Sequence, residues 1–70
     1  MKNIIISVKD MSCEHCKKTL ETSLNNLNGV KKVLINLDDK LININYDEHI
    51  INYDKIEGTI KVLGYIPILQ

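Results

Sequence analysis

The chain has 70 residues and a mass of 8.0 kDa, room for one small domain over residues 1–70. Nine lysines balance nine acidic residues with no arginine, so the formal net charge is zero. This excludes the basic footprint of a nucleic-acid binder, and the short chain leaves little depth for an elaborate enzyme pocket.

Apolar residues make up 44% of the chain, a globular proportion, yet Trp, Phe and Ala are absent, so Ile, Leu, Val and Tyr must build the core. Ile4, Ile6 and Val8 alternate with Ile5, Ser7 and Lys9, which predicts a first strand over residues 3–9. Asp10 to Cys13 reads as a loop. Cys16, Leu20, Leu24 and Leu27 then recur at helical spacing, and Ser12 is the expected N-cap. Asn28-Gly29 supplies the stop.

Val30 opens a second strand, with Val33, Ile35 and Leu37 on one face. Asp38-Asp39-Lys40 is a tight turn, and Ile42, Ile44 and Tyr46 continue the alternation, so the two runs read as a hairpin. A loop over Asp47–Ile51 leads to a second helix, capped by Asn52, with Ile56, Ile60 and Leu63 as its stripe. Gly58 lies inside that helix, where it costs about 1 kcal/mol relative to alanine; close packing is the one local reason for it. Gly64 ends the helix. Ile66–Leu69 is a short last strand, with Pro67 suited to an edge.

The order β-α-β-β-α-β predicts an α+β, ferredoxin-like sandwich: a four-stranded antiparallel sheet with two helices on one face. Lys9, Lys32, Asn36, Asn43 and Asn45 then form the wet face, along with Ile5 and Leu34. The topology gathers the Asp10–Cys13 loop, the start of the first helix and Gly64-Tyr65 at one end. His49 lies at the other, as an expected surface residue.

No apolar run approaches the ~18 residues of a membrane span, and no signal-peptide pattern follows Met1, so a cytoplasmic protein with reduced thiols is expected. The chemistry concentrates in Met11-Ser12-Cys13-Glu14-His15-Cys16. Cys13 in the loop and Cys16 in the first helical turn face a helix N-terminus, whose free N–H groups favour anionic sulfur. Two close thiolates repel, and a cation relieves that repulsion. Soft sulfur suits Cu(I), zinc and iron–sulfur clusters, but structural zinc and the clusters usually need four ligands. Cu(I) on two or three sulfurs fits best, open to exchange with an incoming thiolate. A site for Zn, Cd or Hg and a small thiol–disulfide oxidoreductase are the alternatives. His15 is either a solvated helix-start residue or an auxiliary ligand, and Met11 offers a soft sulfur but suits core packing better.

Met11, Cys13 and Cys16 form a Met-X-Cys-X-X-Cys motif. With Asn28-Gly29-Val30, Tyr46-Asp47 and Gly64-Tyr65 around it, the chain resembles the heavy-metal-associated domains, most of all the bacterial copper chaperones. The resemblance covers nearly the whole chain. It implies Cys13 and Cys16 as Cu(I) ligands, Met11 as a buried residue holding the loop, and Tyr65 as a neighbour shielding the metal. It implies a carrier rather than an enzyme. The implied acceptor is the soluble metal-binding domain of a copper-transporting P-type ATPase, with a copper-responsive regulator as a further partner and no insertion into the membrane. The apo chain is expected to be a monomer, which Cu(I) can bridge into a dimer. Asp10 departs from the glycine common before the methionine. Ser12 replaces the aspartate common in zinc-transporting relatives, which favours Cu(I).

Overall fold

Period-two alternation and helical stripes become six elements in the computed structural model, which describes residues 1–70: β1 Lys2–Ser7, α1 Glu14–Asn25, β2 Val30–Asn36, β3 Leu41–Tyr46, α2 Tyr53–Val62 and β4 Ile68–Leu69. The strands form one antiparallel sheet in the order β2-β3-β1-β4. β1 pairs with β3 from Lys2↔Tyr46 to Ser7↔Leu41, and with β4 through Ser7↔Ile68. One face of the sheet supplies Ile6, Val33, Ile42, Ile44 and Tyr46 to the core. Leu20 and Leu24 of α1 and Ile56 and Ile60 of α2 close over them. The ferredoxin-like βαββαβ sandwich is therefore present, and no helix is long and apolar enough to cross a membrane.

Two backbone bonds mark the two ends of the sandwich. At one, the Val8 N–H donates to the Lys40 carbonyl at 2.9 Å; at the other, the Asp47 N–H donates to the Gly29 carbonyl at 2.8 Å. Gly29 has a φ of +103°, and a Cβ there would lie 2.8 Å from Ile51 Cγ2 and 2.9 Å from Ile50 Cγ2. Only glycine meets both conditions, so the passage from α1 to β2 depends on it.

Several details differ from expectation. β1 stops at Ser7: the Val8 N–H still donates to Lys40, next in the β1–β3 register, but Lys40 has a φ of +56° and already belongs to the turn before β3. β4 holds only Ile68 and Leu69, and Pro67, buried just ahead of it, packs rather than pairs; without an N–H it cannot join the ladder. Leu27 and Leu63 lie beyond the ends of their helices and pack against the core half-buried. The outer face of the sheet is drier than expected at Asn43 and Asn45, both half-buried. Asn45 lies between Asn3 and Lys32 on the neighbouring strands, and its Oδ1 is buried without a partner. A register shift between Val30 and Lys32 marks an irregularity in the outer strand β2.

Asn52 caps α2 as expected, its Oδ1 accepting the Lys55 N–H at 3.0 Å. Close packing does not explain Gly58, since a Cβ built there meets nothing within 4 Å. Gly58→Ala should therefore stabilise the protein by about 0.5–1 kcal/mol, through a less flexible unfolded chain and better helix propensity. Thermal melting followed by circular dichroism should show a rise of about 2–8 °C; a fall would overturn the reading of Gly58 as replaceable.

Candidate metal centre

The chain leaves β1 at Ser7 and enters α1 at Glu14, and two features hold the segment between them. The Met11 N–H donates to the Val8 carbonyl at 3.1 Å, and the Met11 side chain is fully buried in the core cluster. Burying a side chain of this size contributes about 1.5–3 kcal/mol, enough to fix the foot of the loop. Asp10, Ser12 and Cys13 around it are exposed.

Cys13, not Ser12, caps α1. Its backbone is extended (φ −136°, ψ 158°), its carbonyl accepts the Lys17 N–H at 3.1 Å, and its Sγ accepts the Cys16 N–H at 3.1 Å. The helix begins one residue later than the serine cap requires, and sulfur takes the place of the usual capping oxygen. It thereby sits against the free N–H groups and the positive end of the helix. Cys16, in the first turn, is half-buried and packs against the core.

The two Cα atoms are 5.2 Å apart, and the pair is joined as a disulfide rather than held as the expected two thiols. That separation lies within the range a disulfide spans without backbone movement. The same closeness lets two reduced sulfurs converge on one ion. Reduction therefore has to precede any ligation by this pair, because a disulfide offers no thiolate.

His15 is exposed on α1, where it lines an open hollow of about 360 Å³ with Glu14, Lys17, Lys18 and Glu21. No apolar side chain lines that hollow, and none of these charged groups forms an ion pair. Tyr65 is half-buried against the core, its N–H donating to the Ile60 carbonyl at 3.3 Å. Gly64, with a φ of +94°, turns the chain there, and the Ser7↔Ile68 pairing brings the run after Tyr65 to the end of the sandwich that carries the cysteines.

At the opposite end, Asp47, Glu48 and His49 place their ligand atoms within 4.8 Å of one another. His49 is exposed, as expected of a surface residue; the three adjacent titratable residues in one turn were the signal for this group. Glu48 Oε1 is already engaged by the Met1 amine at 3.2 Å and lies 3.7 Å from His49 Nε2. The hydrogen bond from the amine holds the Glu48 carboxyl below its usual range.

Comparison with known proteins agrees with this geometry. The family model of the heavy-metal-associated domain matches residues 5–65. The copper chaperone CopZ of Staphylococcus haemolyticus is 35% identical over 65 residues, which cover 93% of this chain and 96% of that protein. A copper binding domain from HMA7, a P-type ATPase, superposes with a TM-score of 0.94 at 26% identity, over 100% of this chain and 95% of that one. The yeast copper transporter domain Ccc2a, solved in apo and Cu(I)-loaded states, gives a TM-score of 0.91 at 28% identity, over 100% and 96% of the two chains.

Proposed function

Since the chain belongs to the heavy-metal-associated domain family, we propose that it is a cytoplasmic copper chaperone which carries Cu(I) on Cys13 and Cys16 and is not an enzyme. The observation that carries this reading is the position of the two sulfurs: one caps α1, the other lies in its first turn, and Met11 pins the loop beneath them. The CopZ relative, alike over nearly its full length, supports copper as the cargo.

Two thiolates on an exposed tip leave a soft monovalent ion under-coordinated. A cysteine of a partner can then add as a third ligand before either original bond breaks, so that the ion passes over without being released to water. The proposed acceptor is the soluble domain of a copper-transporting P-type ATPase; likeness to the copper binding domain from HMA7 supports an acceptor of the same fold. In this reading Tyr65 shields the ion from the sandwich side. Met11 serves as an anchor, and His15 remains solvated with the charged residues of α1.

Titrating the fully reduced chain with Cu(I) against a competing chelator, followed by X-ray absorption, tests the proposal. One tight equivalent with two or three sulfur neighbours is expected, together with displacement of Zn(II) at equal free concentration. Sedimentation of the loaded sample should reveal bridged pairs that the apo chain does not form. Absence of a tight cuprous site, or preference for zinc, would refute the copper assignment. Because the cysteines are joined in the structure, turnover of a dithiol substrate should also be measured; none is expected.

A further inference from the structure

The structure assigns Asn28 as a site of spontaneous deamidation, a covalent change at the end of the molecule opposite the cysteines. Asn28 is exposed at the turn between α1 and β2, and Gly29 follows it. Of the eight asparagines, it is the one with glycine next; the others precede Ile, Leu, Tyr or Asn, whose side chains crowd the following amide nitrogen. The backbone bonds around this turn run from Val30 N–H to the Leu27 carbonyl at 3.2 Å and from Asp47 N–H to the Gly29 carbonyl at 2.8 Å. The Gly29 N–H itself donates to no backbone carbonyl or side chain, so its nitrogen is not held by a native hydrogen bond.

In the reaction the Gly29 nitrogen attacks Asn28 Cγ, and a carbon–nitrogen bond closes a five-membered imide. The Cγ–Nδ2 bond breaks, and the amide proton leaves on ammonia. Water then opens the imide at either carbonyl, giving aspartate or isoaspartate, with no oxidant or reductant involved. The formal net charge moves from zero to one negative. Isoaspartate also adds a carbon to the main chain beside Gly29, where even an added Cβ would lie 2.8 Å from Ile51 Cγ2.

The test incubates the folded full chain at mildly alkaline pH and follows it by ion exchange and by mass spectrometry of the proteolytic peptide Thr19–Lys31. A more acidic species should accumulate, with the change mapped to Asn28 and the other asparagines intact. That species should melt at lower temperature yet keep its cysteine-dependent metal binding. Asn28→Gln, whose longer side chain disfavours the ring, should abolish it. The assignment fails if Asn28 keeps its amide in the folded chain while converting in urea, or if the acidic species persists in Asn28→Gln.

Discussion

Cys13→Ser is expected to lower Cu(I) affinity by more than about a hundredfold while leaving the fold intact. Changes behind a metal ligand already cost about 10–100-fold, so loss of one of two ligands should exceed that. Folding should survive because Cys13 is the N-cap of α1, a position where a serine oxygen is the better acceptor for the Cys16 N–H. Reduced wild type and variant should therefore melt together, or the variant slightly higher, while chelator competition separates them widely. Cys16→Ser should lose affinity similarly, with a small loss of stability, since this half-buried side chain also touches the core. Retained affinity in the double serine variant would place the metal elsewhere.

Met11→Ala should be the most damaging single change near the loop for stability. The side chain is fully buried, and truncating a buried methionine to alanine costs about 2–5 kcal/mol. In a domain of this size that corresponds to a fall in melting temperature of about 8–40 °C. The informative control is Met11→Leu, a volume-conserving exchange that should cost less than about 1.5 kcal/mol. If Met11 is an anchor, leucine restores both stability and Cu(I) affinity. If its sulfur ligates, leucine restores the melt and not the affinity.

Much of this architecture is visible in the chain itself. Period-two alternation in Ile4–Val8 and Ile42–Tyr46 specifies which face of the sheet is buried, because a slip of β3 by one residue would expose Ile42, Ile44 and Tyr46 together. The cysteine spacing likewise puts both sulfurs at one helix tip. What the chain does not display is set by neighbours distant in sequence. Gly29 and Gly58 look alike on paper; contacts with Ile50 and Ile51 make the first indispensable, while open space makes the second replaceable. Whether Ser12 or Cys13 caps α1 depends on where the buried Met11 anchors the loop, and the redox state of the pair depends on surroundings no sequence encodes.

The borders of the sheet carry a consequence for life at high concentration. β2, on one flank, carries Lys31 and Lys32 beside its register shift, and β4, on the other, offers two residues. Neither flank is a long flat template for a stranger's backbone, since lysines, irregular pairing and brevity each discourage strand addition. Crowded copies can thus jostle without zipping into fibrils.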